Sequence, residues 1–335
     1  MKAIVFDTPG LPIEDAHSLF ELDLPKPTPG ARDLLVEVKA IAVNPVDTKV
    51  RARSTSDQPQ VLGWDTVGIV REVGSEVSLF QAGDEVFYAG AIDRPGSYSE
   101  FHLVDERIVG HKPRALDNAS AAALPLTSIT AWELLFDRLG VQENGGNGQR
   151  LLVIGAGGGV GSILIQLARK LTRLTVIGTA SRPETQTWVS ELGAHHVIDH
   201  TASISDQLEQ LEFDSVDYVI SLTHTDTYLP QIIDVLRPQG KLALIDDPEH
   251  LDIMPLKRKS LSVHWELMFT RSLYQTEDMI KQHQLLERIS SLIDEGVIKT
   301  TLGEHFGNIS ASNLKRAHAL IESGKAKGKL VLEGF

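Results

Sequence analysis

Leu151-Leu152-Val153-Ile154-Gly155-Ala156-Gly157-Gly158-Gly159-Val160-Gly161 is the stretch that decides the fold of this 335-residue chain. Four consecutive aliphatic residues suit a strand covered on both faces. Glycines follow, and then Ile163, Leu164, Leu167 and Ala168 recur at helical spacing. A diphosphate seat needs this order of parts: a tight turn, backbone that can touch phosphate oxygens, and a helix packed hard on its strand. The N–H groups at the helix start and the positive end of its dipole then favour an anion. Ala156 stands at the first glycine of the Gly-x-Gly-x-x-Gly pattern, with Gly158 and Gly161 at the second and third. Ala156, Gly157, Gly158, Gly159, Val160 and Gly161 are the expected cofactor-binding turn.

The end of the next strand, about 20 residues on, selects the dinucleotide, because an acidic side chain there would bond the ribose hydroxyls of NAD. The chain carries Thr179-Ala180-Ser181-Arg182 instead. A hydroxyl and a guanidinium suit the 2′-phosphate of NADP, so Ser181 and Arg182 are expected to hold NADPH. Glu184 follows Pro183 and belongs to the first turn of the next helix.

Outward from the turn, Leu174 to Ile177, His196 to Ile198, Val216 to Ile220 and Lys241 to Ile245 repeat the short aliphatic run. Helical stretches lie between them, and five such strands make a doubly wound parallel sheet. The chain before about Leu124 reads differently, as short β segments at Leu34 to Ala42, Thr66 to Val73, Glu85 to Ala89 and Tyr98 to Val104, separated by glycine and proline. The terminal run Lys329-Leu330-Val331-Leu332 is a strand that periodicity alone cannot place. It either extends the parallel sheet or returns to the first domain.

Hydrophobic residues form 42% and charged residues 23% of the chain, the balance of a globular fold, and the length suits two domains. A formal net charge of −13 and a pI near 5.4 disfavour nucleic acid as a partner. There is no cysteine, which removes disulfides, thiolate nucleophiles and the sulfur ligands of most structural zinc sites. The N-terminus lacks an apolar signal core and no run of 18 apolar residues occurs, so a cytoplasmic protein without a membrane partner is expected. His195-His196 precede a strand and Lys257-Arg258-Lys259 lie in a turn, and neither group is assigned a site.

The pattern from Gly148-Gln149 through the glycines to Gln166 and Arg169 resembles the quinone oxidoreductase branch of the medium-chain dehydrogenase/reductase superfamily. Gly63-Trp64-Asp65-Thr66-Val67-Gly68, Gly74 and Gln81 to Val86 resemble that superfamily's GroES-like catalytic domain. Asn44-Pro45-Val46-Asp47 and Pro125 to Ala131 extend the likeness to nearly the whole chain. The resemblance implies an α/β fold, a Rossmann doubly wound parallel sheet over residues 125–300 plus a mainly β GroES-like domain of 1–124 completed by 301–335. It also implies a homo-oligomer, expected to be a homodimer. In zinc alcohol dehydrogenases a cysteine would precede the position of Pro45 and Gly-His-Glu would replace Gly63-Trp64-Asp65. Asn44 and Trp64 stand there instead, so no metal is expected.

Without a Lewis acid the reaction should be electronically easier than alcohol oxidation. Hydride transfer to a quinone or to an enone or enal double bond leaves a delocalised anion that hydrogen bonds can hold, so a small lipophilic carbonyl or quinone substrate is expected. The resemblance puts Asn44 near the nicotinamide as a donor to an oxyanion, and Thr127 beside the same ring. Lys49 stands where related reductases often carry tyrosine, and it or solvent would protonate the product. Met268 and Phe269 are candidates for a lipophilic wall or for simple core. Two alternatives remain open: a zinc-type alcohol dehydrogenase, and a non-catalytic NADPH-binding protein.

Overall fold

The computed structural model describes residues 1–56 and 58–335. The chain divides into two units, residues 1–129 with 269–335, and residues 130–268. The strands of the first unit before the division are β1 (Lys2–Phe6), β2 (Phe20–Asp23), β3 (Asp33–Val43), β4 (Gln60–Val61), β5 (Thr66–Val73), β6 (Glu85–Tyr88), β7 (Phe101–Asp105) and β8 (Val109–His111). Those of the second are β9 (Arg150–Ile154), β10 (Thr175–Thr179), β11 (His196–Ile198), β12 (Val216–Ser221), β13 (Leu236–Leu244) and β14 (Ser262–Trp265). β15 (Leu302–His305) and β16 (Lys329–Glu333) return to the first unit.

In the second unit the six strands run in the order β11-β10-β9-β12-β13-β14, every neighbouring pair parallel. This is the 3-2-1-4-5-6 order of a Rossmann sheet, whose direction of winding reverses between β9 and β12. Its core joins Leu152, Ile154, Ile177, Val219, Leu242 and Leu244, the aliphatic runs that mark the strands in the sequence. The sixth strand, β14, is not among the five expected. It sits at the sheet edge with Ser262 and Trp265 exposed, so it lacks the continuous apolar run of a strand covered on both faces.

The first unit is built on β3, which pairs with β5, β7 and β16 in a seven-stranded sheet, beside a second sheet of β2, β1 and β4. Its core gathers Leu34, Val36, Val70, Val86, Tyr88 and Met279. The terminal run joins this unit: Leu332 lies opposite Ile41 and Val331 opposite Ala42, antiparallel. The return begins at Phe269, earlier than the residue 301 expected from the resemblance. The physical reason is the helix Lys281–Asp294, which packs Leu286 onto Gly110 and sends His283 Nδ1 to the Val109 carbonyl at 2.7 Å. Among the described residues one helical stretch, Asn118–Arg138, is long and apolar enough to cross a membrane by composition, but 83% of its most apolar window is buried inside the protein.

Candidate functional site

The candidate site residues form two groups, one in each unit. In the second unit β9 ends in the turn Gly155–Gly158, and the helix α1 (Gly159–Leu171) starts directly after it. Gly155 turns the chain at φ +83°, and its N–H bonds the Thr179 hydroxyl at the end of β10, 3.2 Å away. A side chain at Gly161 would bring its Cβ to 2.5 Å from the Ala156 carbonyl oxygen and 2.6 Å from its Cα. Glycine is thus what lets the helix seat against the turn. Ser162 anchors the first helical turn by donating to the Gly158 carbonyl at 2.7 Å, and Trp188 Nε1 bonds that same hydroxyl at 2.8 Å. Ala156, Gly157 and Gly161 are buried, whereas Gly158, Gly159 and Val160 remain half-buried, so the backbone of the helix start is the part within reach of a ligand.

Strand β10 stays in the sheet through Ala180, whose N–H bonds the Ile198 carbonyl at 2.9 Å. Ser181 and Arg182 then leave it, and Arg182 starts the next helix, Pro183–Glu191. The Arg182 guanidinium is 40% exposed and lies 3.4 Å from Glu184. An exposed pair of this kind is worth less than about 1 kcal/mol, so a dianionic phosphate can displace the carboxylate. No acidic side chain occupies residues 179–182. The turn and this strand end fit the diphosphate and the ribose side of a dinucleotide.

In the first unit the helix α2 (Pro45–Arg53) begins at Asn44, where backbone and side chain do different work. The Asn44 N–H donates to the Asp47 carboxylate at 2.6 Å and its carbonyl accepts from the Asp47 N–H at 3.0 Å, a reciprocal closure of the helix start. The Asn44 amide is buried in a separate cluster. Its Nδ2 donates to Asp65 Oδ2 at 2.9 Å and towards the Trp64 carbonyl at 3.3 Å, and its Oδ1 accepts from the Lys329 ammonium. Lys329 Nζ also donates to Asp65 Oδ2 at 2.8 Å and to the Val43 carbonyl at 3.2 Å. The second Asp65 oxygen accepts from the Leu126 N–H at 2.7 Å, at the first turn of the helix α3 (Pro125–Trp132).

The expected oxyanion donor is therefore engaged inside the protein, and Asn44 acts here as a strut. Thr127 is buried on α3, and its hydroxyl donates to the Leu124 carbonyl at 3.2 Å within its own helix. Lys49 lies on α2 and is half-buried. Met268 and Phe269 are both buried, the ring of Phe269 edge-on to Trp64 at 6.1 Å. Burial raises the Asp65 carboxyl, against the pull of Lys329 and the bonds from Leu126 and Asn44. Burial likewise pushes Asp47 up to about 7, against the Asn44 N–H and the charge of Lys329. The facing Tyr98 hydroxyl also touches His318 Nε2 at 3.3 Å.

Nothing in the local sequence singles out Lys329, Tyr98 or His318, and Asp65 has no role legible from its neighbours. Lys329 opens an otherwise aliphatic run, which reads as a polar strand end.

Residues 30–114 match the alcohol dehydrogenase GroES-like domain and residues 192–332 match the zinc-binding dehydrogenase family. A zinc-type alcohol dehydrogenase-like protein of Staphylococcus aureus is 40% identical over 335 residues, 99% of each chain. A candidate zinc-dependent alcohol dehydrogenase from Rhizobium etli is 55% identical with a TM-score of 0.97, covering 100% of this chain and 98% of that one. The Escherichia coli quinone oxidoreductase, solved in complex with NADPH, is 26% identical with a TM-score of 0.85, covering 99% and 100%. The zinc in several of these names does not fit the residues present. Asn44 has its amide and carbonyl bonded to Asp65 and Lys329, and Trp64 is buried with its indole N–H on the Ala91 carbonyl at 3.1 Å. The indole nitrogen of Trp64 has no lone pair to give a metal, and the Asn44 oxygen already faces an ammonium. Fold, turn and likeness agree that the chain belongs to the medium-chain dehydrogenase/reductase superfamily of oxidoreductases, among its zinc-type alcohol dehydrogenase-like members.

Proposed function

We propose that the chain is an NADPH-dependent reductase of quinones or of enone and enal double bonds, working without zinc. The observation that carries this reading is the Gly155–Gly161 turn followed by Ser181 and Arg182, with no carboxylate at the end of β10. A reduced nicotinamide bound there supplies a hydride, and each two-electron reduction takes one proton besides. The chain's own part is mainly to hold and to orient. The helix start at Gly158–Gly161 presents N–H groups to the diphosphate, and Arg182 exchanges Glu184 for the 2′-phosphate. Asn44 and Asp65 hold the starts of α2 and α3, which carry Lys49 and Thr127. Of the three catalytic candidates, Asn44 and Thr127 are buried and Lys49 is half-buried on α2. Lys49 or solvent is the proton source in this reading. A substrate whose reduced form spreads its own charge suits a site without a Lewis acid.

The test is oxidation of NADPH against quinones, enones, enals and simple aldehydes, with NADH in parallel. Turnover of quinones or enones with NADPH is expected, and Arg182→Glu should raise the KM for NADPH at least tenfold with little change for NADH. Turnover of aldehydes alone, with NADH preferred, would sink the proposal.

A further inference from the structure

Lys329 is 3% exposed, yet each of its three ammonium hydrogens has an acceptor: Asp65 Oδ2, Asn44 Oδ1 and the Val43 carbonyl. A buried lysine is tolerated only when paired and bonded in this way. The carboxylate it meets is itself completely buried and takes two further bonds, from Asn44 Nδ2 and the Leu126 N–H. One ammonium thus ties together β16, the end of β3, the start of α2 and the start of α3.

We propose that Lys329 is the resident cation of this centre, closing it to zinc and acting as the positioning residue for Asn44 and for the α3 start. The assignment is independent of the NADPH reading. It follows from donors and acceptors alone. Asn44 Oδ1 accepts from the ammonium and Asp65 Oδ2 accepts from both the ammonium and Asn44 Nδ2, so a second cation among them would meet the ammonium charge inside a fully buried centre. The Asp65 carboxylate has its counter-charge in the Lys329 ammonium.

The first test is metal content. Wild-type protein from zinc-supplemented cells, after dialysis, is expected to hold less than about 0.1 zinc per chain, and added zinc should leave its melting temperature unchanged. About one zinc per chain would overturn the proposal. The second is chemical rescue. Lys329→Ala should lower the melting temperature by about 10 °C, since it strands Asp65 without its cation. Millimolar n-propylammonium, the fragment removed, should recover several degrees that 1-propanol does not. Equal recovery by the alcohol would mean that the side chain only fills space, which would also overturn the assignment. If the alanine variant does not fold, Asp65→Asn/Lys329→Met removes both charges and should melt above Lys329→Met alone. A double variant no more stable than the single would count against the cation.

Discussion

Asp47 is completely buried, and its surroundings make its proton a measurable part of stability. Burial raises its carboxyl to about 7, and the negative charge of Asp65 adds to the rise. In the unfolded chain the same group titrates near 3.9. Between these two values the unfolded state has released a proton that the folded state still holds, so stability falls as pH rises from about 4 to about 7. The full effect is on the order of 4 kcal/mol, lost by pH 8 and present at pH 4. Asp47→Asn can still accept the Asn44 N–H but carries no titrating proton. Urea midpoints at pH 5 and pH 8 should therefore differ less for the variant than for wild type, and equal differences would show that Asp47 does not hold the proton. Asn44 makes a related point about legibility. Its place ahead of Pro45 is visible in the sequence, but the partner of its side-chain oxygen is Lys329, 285 residues away.

The glycine turn is the element whose structure follows most directly from local sequence. Helix α1 buries Ile163, Leu164, Leu167 and Ala168, the apolar face that the spacing indicates, and Ile165 besides. Gly161 lies where that face meets the turn. Gly161→Ala would place a methyl group against the Ala156 backbone, which can yield only by moving strand and helix apart. Such overpacking costs about 2 kcal/mol, and the displaced helix start should weaken NADPH binding at least as much as it lowers the melting temperature. Nucleotide fluorescence titration beside a thermal melt checks both effects, and unchanged affinity would separate the helix start from the phosphate seat. The basic run Lys257-Arg258-Lys259 shows the opposite case. Lys259 caps the helix Thr225–Val235 by donating to the Ile233, Asp234 and Leu236 carbonyls at 2.7–2.9 Å. Its turn is visible in the sequence, whereas its partners belong to another element.

At the scale of the molecule the first unit depends on both ends of the chain. β16 lies between β15 and β3, with Leu330, Val331 and Leu332 fully buried, and it delivers Lys329 to Asp65. Removing residues 329–335 would open the ladder along β3 and leave the Asp65 carboxylate buried and unpaired. The truncated chain should lose the cooperative melt of the first unit and most of its solubility, as read by calorimetry and soluble yield; a normal melt would show that the strand is dispensable. The sequence by itself determined the parallel sheet, the glycine turn between its first strand and helix, and the β character of the first 124 residues. Each of these is written in neighbouring residues, as an aliphatic run, a glycine spacing or an alternation of short strands with turns. The tertiary structure alone decided that the final strand joins β3, that the return begins at Phe269, that an edge strand completes the parallel sheet, and that a lysine near the C-terminus supplies the buried charge facing Asp65. These outcomes depend on pairing between segments far apart in the chain, and such pairing leaves no periodic trace in either partner.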